Sequence, residues 1–148
     1  MAFETSYVNG EFLEGLLSQT INPNWDTDAV QVALYTNDIT GQNKNAQESY
    51  STNGEIISNG YTAKGLALDN PTFTASNGKI IFDEDDPFMS WTGVTAEVRG
   101  CIIFDDTLIT PYNDPVICAL NFGPLEPVVD GTFTISWNAT NGIFYATY

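Results

Sequence analysis

Thr95-Ala-Glu-Val-Arg-Gly-Cys-Ile-Ile-Phe104, Pro115-Val-Ile-Cys-Ala-Leu-Asn-Phe122, Gly131-Thr-Phe-Thr-Ile-Ser-Trp137 and Gly142-Ile-Phe-Tyr-Ala-Thr147 follow one another along the second half of this chain. Each run is rich in β-branched and aromatic residues, which suit a pleated and half-buried surface. Asp105-Asp106, Asn113-Asp114-Pro115, Gly123-Pro124, Asp130-Gly131 and Asn141-Gly142 stand between them and read as turns. Upstream, Ala29-Val-Gln-Val-Ala-Leu-Tyr35 alternates with Val30, Val32 and Leu34 on one face. Pro71-Thr-Phe-Thr-Ala75 and Lys79-Ile-Ile-Phe82 flank Ser76-Asn77-Gly78, a hairpin with an Asn-Gly turn. Glu55 to Leu68 reads as strand pieces bent at Gly60 and Gly65. Turn signals at this density predict an all-β fold. The expectation is a single-domain antiparallel β-sandwich over residues 1–148, immunoglobulin-like or jelly-roll-like, with no internal repeat or linker.

One helix is expected, in a segment covering residues 1–24. Phe12, Leu13, Leu16 and Leu17 form an apolar stripe, Asn9 is placed to cap, and Glu11 and Glu14 sit near the positive end of the dipole. The spacing predicts a short helix from about Gly10 to Ser18 that packs its stripe on its own domain. Thr36 to Asn53 is nearly free of apolar residues and reads as the longest loop.

The charge balance is extreme. Nineteen acidic residues face four basic ones, Lys44, Lys64, Lys79 and Arg99, for a formal net charge of −15. Such a surface repels nucleic acid and anionic membranes and suits a basic protein partner. There is no histidine, which excludes imidazole-based triads and zinc sites. No apolar stretch reaches the roughly 18 residues of a membrane helix.

Cys101 and Cys118 lie on runs that a hairpin through residues 106–114 would bring close. A disulfide stays open from spacing alone. The start Met1-Ala-Phe-Glu-Thr-Ser6 has neither the basic end nor the apolar run of a secretory signal, so two packed thiols are expected.

Asp83-Glu-Asp-Asp86 makes Asp83, Asp85 and Asp86 calcium candidates by residue type. The alternating ligand spacing of a calcium loop is missing, and a solvated acidic turn is the simpler reading. Paired carboxylates with Trp25, Trp91 and Trp137 also raise glycosidase chemistry, but aromatics in a β-domain belong first to the core. No enzyme activity and no cofactor are expected. Phe3, Tyr7, Tyr50 and Tyr61 are the candidates for partner contact, because exposed aromatics anchor interfaces.

As an ordered set, Phe12-Leu-Glu-Gly15, the Ala29–Tyr35 strand, Asn59-Gly-Tyr-Thr-Ala-Lys-Gly65, Ser90-Trp-Thr-Gly-Val-Thr95, Val98-Arg-Gly-Cys-Ile-Ile-Phe-Asp-Asp-Thr107, Ala119-Leu-Asn-Phe-Gly123 and Gly131–Trp137 with Asn141-Gly-Ile-Phe144 span nearly the whole chain. This set resembles small virion structural proteins encoded in the head and tail modules of tailed bacteriophages. The resemblance implies a β-sandwich displayed in many copies on a virion assembled in the bacterial cytoplasm. A capsid cement or decoration protein that oligomerises and binds the major capsid protein or another virion protein leads. A tail or baseplate component follows it. A sandwich that binds carbohydrate or a host receptor is the alternative from another class.

Overall fold

The computed structural model describes residues 5–36, 46 and 49–148, apart from the side chains of Leu125 and Glu126. The elements are β1 (Tyr7–Val8), α1 (Gly10–Ser18), β2 (Val30–Tyr35), β3 (Leu66–Ala67), β4 (Thr72–Ser76), β5 (Lys79–Asp83), β6 (Phe88–Asp105), β7 (Val116–Ser136) and β8 (Phe144–Thr147). They form a five-stranded sheet in the order β1-β7-β6-β2-β3 and a three-stranded sheet in the order β4-β5-β8, with every pairing antiparallel. This is the mainly-β, sandwich-like architecture with one short helix that the sequence leads one to expect.

The β6–β7 hairpin dominates the fold. Cys101 lies opposite Leu120 and Cys118 opposite Ile103, so the two cysteines are diagonal neighbours; both are free and buried. Burial pushes both thiols up, which keeps them protonated and unreactive. Gly123-Pro124 and Asp130-Gly131 do not end strands as their turn chemistry suggests. Both lie inside the continuous β7, with Gly123 at φ +99° and Asp130 at φ +43°. Register shifts between Thr92, Val94 and Ala96, around Gly93 at φ +71°, answer Asp130-Gly131 on β6, and the shift between Val98 and Gly100 answers Gly123-Pro124. Left-handed residues here bend one very long ribbon instead of reversing the chain.

The Asn77–Gly78 hairpin forms as read, with both residues at positive φ and Ser76 opposite Lys79. The helix also forms as read. Asn9 is fully buried, and its side-chain oxygen accepts from the Phe12 amide at 2.9 Å. Gln19 closes the helix at φ 59°, four residues ahead of Pro23. Phe12 is buried, Leu16 is half-buried, and Leu17 stays 88% exposed, so only part of the stripe is used.

The segment from Glu55 to Leu68 departs from expectation. Only Leu66–Ala67 is strand; Glu55 makes a single antiparallel bridge with Tyr35, and the rest is turns and irregular chain. A Cβ on Gly65 would lie 1.8 Å from the carbonyl oxygen of Val32, and one on Gly60 would lie 1.9 Å from that of Thr92. These glycines mark close backbone approach, not strand bends.

The five-stranded sheet is buried on both faces. Its inner face gives Val32, Leu34, Val98, Cys101, Ile103, Ile117 and Cys118 to a core that also takes in Phe12, Phe82, Trp91, Trp137 and Ile143. Its outer face carries Ala33, Tyr35, Ile102, Phe104, Val116 and Ala119, against which Tyr7 and Tyr50 pack.

Candidate functional site

The outer face of the large sheet sets the first requirement. It is apolar, so the chain that crosses it must be held down. Tyr50 stacks on Phe104 with ring centroids 4.4 Å apart. Its hydroxyl donates to Glu55 at 2.5 Å, the Tyr61 hydroxyl donates to the same carboxylate at 2.6 Å, and the Lys64 amide donates at 2.7 Å. The Tyr61 hydroxyl accepts in turn from the Leu34 amide, and the Tyr35 hydroxyl donates to the Ser51 carbonyl. Burial, then the Glu55 charge, pushes the phenols of Tyr35, Tyr50 and Tyr61 far up, so all three stay neutral donors. Glu55 is therefore a clamp that ties residues 49–65 to β2. Sequence reading missed it. Its only signal was a carboxylate beside Ile56 and Ile57, between Tyr50 and Tyr61, with no pattern to mark it.

This clamp settles where the aromatic candidates lie. Tyr7, Tyr50 and Tyr61 are half-buried and packed on the core clusters. Phe3 and most of the polar loop Thr36–Asn53 lie outside the described residues. The more exposed apolar side chains include Leu17, Ile57, Phe88, Ile109 and Tyr148, none of which sequence reading named as a contact.

The acidic run forms the turn between β5 and β6, and several of its groups are engaged internally. Glu84 accepts from the Asp69 amide at 2.7 Å and from the Trp137 indole, Asp85 accepts from the Asn70 side chain at 3.0 Å, and Asp86 accepts from the Phe88 amide at 2.9 Å. Among the described residues no group of three or more metal-binding side chains converges, at Asp83, Asp85 and Asp86 or elsewhere.

The hairpin loop after β6 meets the helix at the most partner-like feature. Glu11, Glu14, Gly15, Ser18, Thr20 and Ile21 form a groove of about 310 Å³ with Tyr112 on the loop side. Two carboxylates, two hydroxyls and an aromatic rim suit a lysine or arginine side chain, which can pair its charge and lay its stem on the ring. Among the described residues, Lys64 and Lys79 are engaged away from this groove. Lys64 pairs with Asp106 and Asp114, and Lys79 donates to Asn141 at 2.6 Å while lying 4.4 Å from the Tyr145 ring centroid. Glu14, Asp26, Asp85, Asp86, Glu97 and Asp130 stay exposed. A second, shallower groove of about 620 Å³ lies between Ile57–Asn59 and Gly93, Thr95 and Asp130. It has no aromatic wall.

Asp105 stands at the junction of β6 with the loop. It is fully buried, one oxygen accepts from the Thr107 and Leu108 amides at 2.9 and 3.1 Å, and the other has no donor among the described residues. Burial pushes its carboxyl up, the two amides pull it down, and the neighbouring Asp28 raises it again. The native state thus holds this proton more tightly than the unfolded chain. The group's contribution is most favourable below its unfolded pKa of about 3.9 and declines as pH rises through the higher folded value. Asp105→Asn keeps the acceptor and turns a donor toward Asp28. It is expected to stabilise the fold by about 1 kcal/mol at neutral pH, with the gain vanishing in acid. Urea unfolding across a pH series reads this directly, and a neutral-pH loss would contradict it.

Comparison with family models, with curated proteins and with solved structures finds no match.

Proposed function

We propose that this chain is a non-enzymatic virion structural protein of a tailed bacteriophage, a cement or decoration protein that binds the head shell and stabilises it. The observation that carries the reading is the groove between α1 and the β6–β7 loop, an acidic, aromatic-rimmed contact on a protein of net charge −15. Its partner is a basic patch on a symmetric shell, which the resemblance to virion proteins supplies. The rest of the molecule suits such a task. One core joins both sheets, the outer face is covered and clamped, and the thiols are buried. A rigid scaffold loses little conformational freedom on docking.

The carbohydrate-binding alternative needs aromatic platforms open to solvent. Trp91 and Trp137 are buried, and Trp25 packs edge-on against Phe12, Phe73 and Phe82. Trp91 and Trp137 belong to the core and Trp25 packs against it, so the tryptophans favour the scaffold reading.

Purified protein mixed with empty heads is expected to co-sediment at a fixed ratio to the major shell subunit. Binding weakens as salt rises, because the contact is electrostatic. Glu11→Gln with Glu14→Gln lowers affinity by about tenfold, and Tyr112→Ala lowers it further. Failure to bind heads, or binding that these variants leave untouched, overturns the proposal.

A further inference from the structure

We propose that β4 is a self-pairing edge, at which two copies of this chain join antiparallel about Thr74 and fuse their three-stranded sheets into one six-stranded sheet. The inference goes beyond the shell-binding reading and does not rest on it.

The backbone sets the geometry. Ser76 faces Lys79 across the two-residue Asn77–Gly78 turn, so this pair exchanges hydrogen bonds, as do Thr74 with Ile81 and Thr72 with Asp83. The Tyr148 amide bonding to the Gly78 carbonyl at 3.0 Å fixes the same phase on the far side of β5. Phe73 and Ala75 must therefore turn their amides and carbonyls away from β5. That side has no neighbouring strand among the described residues, and all five residues of β4 are exposed.

Native proteins normally protect such an edge with charge, proline or a bulge. Pro71 stands just before β4, but Thr72–Ser76 itself has none of these: it reads Thr-Phe-Thr-Ala-Ser, and its ladder with β5 runs without a register shift. The nearest carboxylate in the ladder, Asp83, lies one strand inward. A second copy is the occupant this edge suits. Two chains of net charge −15 repel over most approaches, and an uncharged strand lets them meet without opposing carboxylates.

The strand is also complementary to itself. A two-fold axis at Thr74 sets Phe73 of one copy against Ala75 of the other, twice, so a large side chain meets a small one on the apolar face. Each of these pairs exchanges two backbone hydrogen bonds, and the two threonines meet on the opposite face. A five-residue edge buries less than the roughly 1,200 Å² of a standard complex, so the dimer is weak and concentration-dependent.

Thr74→Cys tests the axis. The two Cα atoms at a non-hydrogen-bonded pair lie about 4.5 Å apart, within disulfide reach. Under mild oxidation this variant is expected to form a covalent dimer, while Thr147→Cys, on the opposite edge of the same sheet, stays monomeric. Cys101 and Cys118 are buried and do not compete. By sedimentation, the unmodified protein should dimerise reversibly toward millimolar concentration, more tightly as salt screens the repulsion. Ala75→Lys should weaken that dimer by about tenfold or more. Cross-linking at Thr74 no faster than at Thr147, a protein that stays monomeric throughout, or a dimer indifferent to Ala75→Lys overturns the inference. The opposite salt responses of dimerisation and head binding keep the two proposals separable.

Discussion

Phe82→Ala is expected to lower stability by about 4 kcal/mol, the range for a buried aromatic truncated to alanine. Phe82 is fully buried at the centre of the small sheet. Its ring lies 4.8 Å from Phe73, 5.0 Å from Phe144 and 5.5 Å from Trp25, centroid to centroid, and Trp25 continues the contact to Phe12 on the helix. One side chain thus joins the small sheet, the segment before β2 and α1. Its removal leaves a cavity among rings that are themselves fixed by the backbone, so collapse into the space is limited. The melting temperature should fall by roughly 12 °C. Phe73→Ala is the control. That ring shares the cluster but is 36% exposed, so its loss should cost about 1–2 kcal/mol. Equal losses for the two variants would mean that the sheets do not share one core.

Glu55→Ala comes next, with an expected loss of about 3 kcal/mol. The substitution leaves the Tyr50 and Tyr61 hydroxyls and the Lys64 amide without their acceptor in a partly dry site, and each such group costs about 1–3 kcal/mol unless water reaches it. The crossing segment loosens, and the apolar outer face with Tyr35, Ile102 and Phe104 becomes accessible. Glu55→Gln separates charge from geometry. Its carbonyl can still accept from Tyr61 and Lys64, and its amide can donate to the Tyr50 oxygen, so the loss should be about 1 kcal/mol. Amide exchange across residues 49–65 should accelerate strongly in the alanine variant and little in the glutamine variant. Identical behaviour of the two would remove the clamp as the reason this segment stays in place.

These two positions also show what could be read from sequence. Phe82 was legible as a strand residue, because Asn77-Gly78 fixes a hairpin through turn chemistry that needs no tertiary information. The helix was legible for the same reason, with Asn9 as a local cap. Glu55 was not, because its role depends on tyrosines brought together by a loop, and neither loop nor partners carry a period. Gly123-Pro124 and Asp130-Gly131 misled in a different way. A residue able to take positive φ serves a turn or a bulge equally, and only a partner strand long enough to continue the ladder decides between them. The contact candidates Tyr7, Tyr50 and Tyr61 are half-buried, which their sequence neighbourhood does not reveal. Tyr7 and Tyr50 pack on the outer face of the large sheet and Tyr61 on the main core, contacts set by tertiary structure and not by any local pattern. The groove at Glu11, Glu14 and Tyr112 joins residues about a hundred positions apart, a proximity that follows from the β6–β7 hairpin and not from any local pattern.

Heating DNA-filled heads with and without bound protein is the most direct test of the adhesive role. Heads saturated with the protein should rupture and release DNA at a clearly higher temperature than bare heads, and heads treated with the Glu11→Gln, Glu14→Gln variant should behave like bare ones. Rupture at the same temperature in all three would contradict a cementing role.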